Sequence, residues 1–285
     1  MNISSPLRYP GGKSSMTDLL SQIRKINSVG NLSIAEPFAG GAGASLKLLY
    51  LEDTPSIHIN DKDSAIYSFW WSLLNRNTEF LDLMVKKRVS MAEYFRQRDI
   101  YKSPKKSSKL DNGFATFYLN RCNRSGIILN GGPIGGSKQI GKWKLNARFN
   151  KEELSQRCMK VSEYSDRIHL SNQDGIDFII QLKSKPTFYF IDPPYFTKGP
   201  LLYLNLLNKD YHQNLSLTLR DMPEAPWVLT YDDCPEIRRL YKGWTKIRPF
   251  SLRYSAAERR KGKEILIIPK WMSLPKTQNS EAIGW

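Results

Sequence analysis

The chain has 285 residues, with 43 Lys plus Arg against 27 Asp plus Glu, which gives a formal net charge of +16. Hydrophobic residues make up 40% and aromatics 12%, which excludes global disorder and allows one large domain or two smaller ones. A charge this positive calls for a polyanionic partner, either nucleic acid or an anionic membrane surface. The charge is uneven: residues 86–110 carry nine basic and two acidic residues, and residues 238–263 carry ten basic and one acidic. The remainder of the chain is neutral.

Several classes fall away at once. No stretch approaches the ~20 apolar residues that a membrane-spanning helix needs. Met1 to Gly12 has no apolar run behind a basic start, so no signal peptide is expected. Cys122, Cys158 and Cys234 form no CxxC pair and no disulfide framework, which fits a reducing cytoplasm. His58, His169 and His212 have no Cys or His at ligand spacing, so no metal site is expected. No amphipathic helix or lipidation site supports membrane association.

In chain order, the first candidate is Pro10-Gly11-Gly12-Lys13-Ser14, which resembles the tail of a phosphate loop. The full pattern would need a glycine where Leu7 stands and a strand in front, and it has neither. The first predicted strand is Ser33–Ala35. It runs into Glu36-Pro37-Phe38-Ala39-Gly40-Gly41-Ala42-Gly43 and then a helical pattern, Ser45–Leu51. Glycines at a strand-to-helix turn let the backbone approach a ligand closely. The spacing is not the dinucleotide fingerprint, which disfavours a dehydrogenase.

The second strand, Ile57–Ile59, ends at Asn60-Asp61. An acid at the tip of the second strand can accept hydrogen bonds from ribose hydroxyls. Asp61 therefore reads as part of a site for an adenosine-containing cofactor, and Asp63 as the cap of the helix Ser64–Leu74. The rhythm then breaks from about Phe80 to Asp166. A basic helical stretch, Phe80–Tyr101, leads to a Lys/Ser linker, Lys102–Lys109, and a Gly/Asn-rich loop, Asn120–Gly141. Tyr94, Phe95, Phe114, Phe117, Tyr118, Trp143 and Phe149 argue that much of this insertion is folded.

Strands Ile168–Leu170 and Thr187–Ile191 follow. The second runs into Asp192-Pro193-Pro194-Tyr195-Phe196. Consecutive prolines fix the backbone and remove two donors, presenting carbonyls at the carboxyl end of a parallel strand, where ligands bind in such folds. An amino group there could donate to the Asp192 carboxylate and the Pro193 carbonyl, and Tyr195 or Phe196 could stack on a planar base. A helix, Tyr211–Leu219, and strands Trp227–Thr230, Lys246–Leu252 and Glu264–Ile268 complete the pattern, the last two as a hairpin at one edge. Strands alternating with helices predict an α/β doubly wound fold.

Taken together, Tyr9-Pro10-Gly11-Gly12-Lys13, the Glu36–Gly43 turn, Asn60-Asp61, Leu119-Asn120-Arg121 with Asn123-Arg124-Ser125-Gly126, and Asp192-Pro193-Pro194-Tyr195 resemble the Dam-like adenine-specific DNA methyltransferases. The blocks keep the family's order and span most of the chain. The resemblance implies a Rossmann-like, seven-stranded, mostly parallel sheet with a terminal antiparallel strand. It implies a catalytic domain of residues 1–79 and 167–285, and an inserted, mainly helical target-recognition domain of residues 80–166.

It also implies S-adenosylmethionine as methyl donor, with S-adenosylhomocysteine as product. Tyr9, Lys13, Glu36, Pro37, Phe38, Ala39, Gly40, Gly41, Gly43, Asp61, Asp174 and Asp192 would surround the cofactor. Asp192, Pro193, Pro194 and Tyr195 would act on a flipped-out adenine. The implied partner is double-stranded DNA, contacted by Asn120, Arg121, Arg124, Lys138, Lys142, Arg148, Ser255 and Arg259. The implied protein is a cytoplasmic, bacterial or phage-encoded monomer or weak dimer, without metal or membrane. Gly131-Gly132-Pro133-Ile134-Gly135-Gly136 departs from the family's recognition region, so no target sequence is carried over. Rival readings are an N4-cytosine or an RNA methyltransferase, and a catalytically silent DNA-binding protein. The two basic windows are expected to face each other across a DNA cleft with Asp192 at its floor.

Overall fold

The computed structural model describes residues 5–8, 13–196, 208–252, 264–276 and 283–284. Tyr9, Ser255 and Arg259 lie outside the described residues, as do 253–263 of the second basic window. A short 3-10 turn, Lys13–Met16, leads into α1 (Thr17–Ile26), β1 (Ser33–Glu36), α2 (Gly43–Tyr50), β2 (Ile57–Asn60) and α3 (Ser64–Asn75). The insertion supplies α4 (Asn77–Lys86), α5 (Met91–Lys102), α6 (Lys109–Cys122) and α7 (Lys151–Glu163). The chain returns through β3 (Ile168–Ser171), α8 (Gly175–Leu182), β4 (Thr187–Ile191), α9 (Lys209–Arg220), β5 (Trp227–Asp232), α10 (Pro235–Tyr241), β6 (Thr245–Leu252), β7 (Glu264–Pro269) and β8 (Ile283–Gly284).

All seven predicted strands form. The sheet order is β3-β2-β1-β4-β5-β7-β6-β8. Strands β1 to β5 pair in parallel, whereas β7 runs antiparallel to both of its neighbours, β5 and β6. The hairpin expected from the last two runs is present, with β7 on its inner side and the two-residue β8 pairing outside β6.

Side chains alternate cleanly between the two faces, as a sheet covered on both sides requires. Ile34, Phe188, Phe190, Val228, Leu266 and Ile268 face one core, built with α1 to α7. Ala35, Tyr189, Ile191, Leu229, Tyr231, Ile265 and Ile267 face the other, built with α8, α9 and α10. The insertion has no separate core: Phe69 of α3 stacks on Phe117 of α6 at 5.9 Å, Phe80 and Phe149 meet Phe117 edge-on, and all belong to the first core. The predicted basic helical stretch is two helices, because Lys87–Ser90 breaks it and the Ser90 hydroxyl caps α5 by accepting from Glu93 N. Between the expected linker, Lys102–Lys109, and the expected loop, Asn120–Gly141, and taking in the end of the one and the start of the other, Lys109–Cys122 is one helix whose carboxyl-terminal half is almost wholly buried. Of the insertion's aromatics, Phe95 and Trp143 are exposed.

Candidate active site at the carboxyl ends of the strands

The strand order brings the turns after β1, β2, β3 and β4 to one rim. In the glycine turn, Gly40 (φ 47°) and Ala42 (φ 45°) are left-handed, and glycine adopts that geometry without a Cβ penalty. The Gly40 N–H donates to Asp61 Oδ2 at 2.9 Å. The buried Glu36 carboxylate accepts from Ser45 N at 3.0 Å and from the Ser45 hydroxyl, tying β1 to the first turn of α2. Burial pushes Glu36 up to about 7, with the negative charge of Asp192 adding to the rise against the Ser45 donations.

Asn60 stitches three strand ends together. Its side-chain amide donates to the Pro37 and Gln173 carbonyls, and its Oδ1 accepts from Gln173 N. Asp63 caps α3 by accepting from Ala65 N at 2.8 Å, which leaves Asp61 to face the glycine turn. Asp61 Oδ1 accepts from Asp63 N at 2.9 Å. Desolvation outweighs both backbone donations and raises this carboxyl to about 7.

Asp174 caps α8 through Ile176 N and also accepts from the Tyr211 hydroxyl at 2.8 Å and Lys62 Nζ at 3.0 Å. Burial alone would raise it, but these three donors outweigh burial and hold it below the ordinary carboxylate range. Phe38 meets Tyr211 edge-on at 6.4 Å. Gly175 lies against the Phe38 ring so closely that a Cβ would stand 2.5 Å from Cζ.

The Asp192 turn lies one strand over from the glycine turn, because β4 pairs with β1. Thr230 of β5 donates to Asp192 Oδ1 at 2.5 Å. Lys13, grouped by sequence with the cofactor residues, has its Nζ 3.1 Å from Asp192 Oδ2 and 2.7 Å from the Tyr195 hydroxyl. Behind the turn, Phe196 N donates to Asp232 Oδ1 at 3.1 Å, and Asp232 is paired in register with Glu264 of β7. Sequence reasoning missed Thr230, Asp232, Glu264 and Tyr211. For the first three the signal was a polar residue within or at an end of an apolar strand; Tyr211, on α9, carried none.

The expected DNA contacts divide. Arg124, Lys138, Lys142 and Arg148 are exposed. Asn120 and Arg121 are corrected: both are buried. Asn120 accepts from Arg8 N and donates to the Arg8 and Gly126 carbonyls. Arg121 donates to the Pro6 carbonyl, and burial, with Arg157 and Arg8 nearby, lowers its guanidinium to about 9. They hold the amino-terminal segment and are not available to a phosphate. In the second basic window, Arg238 is spent on Asp233 and Lys246 on the Met272 carbonyl.

A family model for D12 class N6 adenine-specific DNA methyltransferases matches residues 9–256. The chain belongs to that family. This methyltransferase therefore carries S-adenosylmethionine-dependent chemistry on a Rossmann-like sheet, with DNA as substrate. Among solved structures it is similar to the rRNA methyltransferase aviRa from Streptomyces viridochromogenes, at 12% identity, covering 87% of this chain and 84% of that one with a TM-score of 0.35. No curated protein matches it. Among the described residues of the methyltransferase, no helix is long and apolar enough to cross a membrane, and no group of three or more His, Cys, Asp or Glu could hold a metal ion.

Proposed function

We propose that this methyltransferase acts on an adenine flipped out of duplex DNA, with Asp192 and the Pro193 carbonyl accepting hydrogen bonds from the two N6–H groups. The observation that carries the reading is the adjacency of the Asp192 turn on β4 to the glycine turn on β1. This adjacency supports reading the first turn as the amino-group acceptor and the second as the cofactor loop.

The donor set fits S-adenosylmethionine. Asp61 keeps acceptor capacity for ribose hydroxyls after its two backbone donations. Phe38 offers a ring, and the missing Cβ of Gly175 leaves that ring its place. Lys13, Pro37, Ala39, Gly41, Gly43 and Asp174 would complete the surroundings, with Glu36 acting from beneath the turn. When bound, the cofactor supplies an electrophilic methyl group.

The adenine amino group is a poor nucleophile because its lone pair is delocalised into the ring. Fixed acceptors on both N–H groups localise that pair, and they act as preorganised electrostatics. The Thr230 hydroxyl fixes the Asp192 carboxylate for this task. The proton lost from N6 goes to Asp192 or to water. Extruding the base costs a few kcal/mol, offset in part by stacking on Tyr195. Arg124, Lys138, Lys142 and Arg148 contact DNA, Ser255 and Arg259 join them, and residues 80–166 serve target recognition. The protein works as a monomer or weak dimer in the cytoplasm.

A tritiated-methyl assay tests the reading. Asp192→Ala should abolish transfer while binding of S-adenosylmethionine in equilibrium dialysis persists, and an active variant would refute the assignment. Tyr195→Trp should keep more activity than Tyr195→Gly; the reverse order argues against stacking.

A further inference from the structure

We infer that Glu264 is a positioning residue for methyl transfer: it takes the Lys13 ammonium when the target amino group occupies Asp192. The inference rests on the reading of Asp192 given above.

Its basis is a competition for one oxygen. Asp192 Oδ1 already accepts from Thr230. Asp192 Oδ2 faces Lys13 Nζ at 3.1 Å, so the ammonium takes up part of the remaining acceptor capacity of the oxygen to which a substrate N–H would donate. Lys13 cannot simply withdraw, because its side chain is only 4% exposed and a buried ammonium without a counter-charge is costly. It needs a second anion within reach. Glu264 Oε2 lies 3.8 Å from Lys13 Nζ, and the Glu264 side chain is 1% exposed. The pair is already within ion-pair distance, and a small rotation of the lysine stem converts it into a charge-assisted hydrogen bond.

The fold explains why an acid stands there. β7 runs antiparallel beside β5, so the first residue of β7 lands at the rim where β5 ends, with Glu264 opposite Asp232. Asp232 in turn receives the Phe196 N–H and so holds the catalytic turn from behind. Lys13 also donates to the Tyr195 hydroxyl and lies 5.1 Å from its ring centroid. A lysine that shifts from Asp192 to Glu264 therefore releases the acceptor and the stacking ring in one movement.

The test uses the full-length protein, S-adenosylmethionine and a duplex bearing the sequence that the wild type methylates. Glu264→Gln should lower kcat at least ~10-fold, as expected when a reacting group is misplaced, with cofactor affinity within about twofold of wild type if the substitution leaves that site alone. Lys13→Met is measured in parallel. The double variant Lys13→Met/Glu264→Gln should be no slower than Lys13→Met alone, because Glu264 acts through Lys13. Losses that multiply would overturn the inference, as would wild-type kcat in Glu264→Gln. Should Glu264→Gln fail to fold, the double variant, from which both charges are gone, carries the comparison; if it too fails to fold, Glu264 is structural and the inference is wrong. Asp192→Ala assayed alongside separates the two readings. An active Asp192→Ala removes both, whereas an inactive one beside a fully active Glu264→Gln removes only this one.

Discussion

The Trp70 indole N–H donates to the Gly40 carbonyl at 2.9 Å. Trp70 is on α3 in the core shared with the insertion, and Gly40 is one of the two left-handed residues of the glycine turn. With its N–H on Asp61 and its carbonyl on Trp70, Gly40 is held on both sides. Trp70→Phe keeps most of the buried ring but leaves that carbonyl without its donor. It should cost about 1–2 kcal/mol in urea unfolding and weaken S-adenosylmethionine binding several-fold in equilibrium dialysis.

Glu36 gives the protein a pH dependence with a definite sign. Its folded carboxyl titrates at about 7 against an ordinary 4.5, so the folded state binds the proton more tightly than the unfolded chain. That contribution to stability is complete below about 4.5 and is lost as pH rises through about 7. Relative to Glu36→Gln, which cannot ionise, the wild type should lose roughly 2–3 kcal/mol between pH 4.5 and 8. Urea unfolding of both proteins across that range measures the difference; a constant offset would show that Glu36 does not titrate there.

Buried and exposed members of the basic recognition group should behave oppositely. Asn120→Ala strands the Arg8 N–H and two carbonyls and should cost about 2–3 kcal/mol of stability. Arg124→Ala and Lys142→Ala should leave Tm unchanged and weaken DNA binding, each reducing the salt slope of the affinity by about 1. Thermal melts and salt titrations of all three variants separate the classes.

Gly175→Ala would drive a methyl group into the Phe38 ring, 2.5 Å from Cζ. The ring must give way to accommodate it. Overpacking of this kind costs typically 1–3 kcal/mol, and the displaced ring should lower cofactor affinity about tenfold. Calorimetric titration with S-adenosylhomocysteine reads that loss without involving turnover.

Much of this was legible in the chain. Apolar runs predicted the seven strands, most plainly β4, β5 and β7, which are buried along their whole length and so must be largely apolar. The Asp192-Pro193-Pro194-Tyr195 and Glu36–Gly43 turns were legible because prolines and glycines fix backbone geometry locally. The division of roles within the insertion was not. Asn120 and Arg121 look like DNA contacts in a basic, polar stretch, yet they lie on the buried end of α6 and serve the Arg8 segment and Pro6. Exposure depends on what packs against a helix, and no local pattern records it.

The sequence by itself determined the strands and the two turns, since each depends on near neighbours in the chain. The tertiary structure decided which side chains meet at the rim. Lys13 reaches Asp192, Tyr195 and Glu264 across separations of well over a hundred residues. Glu264 is there only because β7 is threaded antiparallel between β5 and β6, which puts the start of a strand, rather than its end, beside the Asp192 turn. Strand direction and sheet order are set by packing over the whole domain.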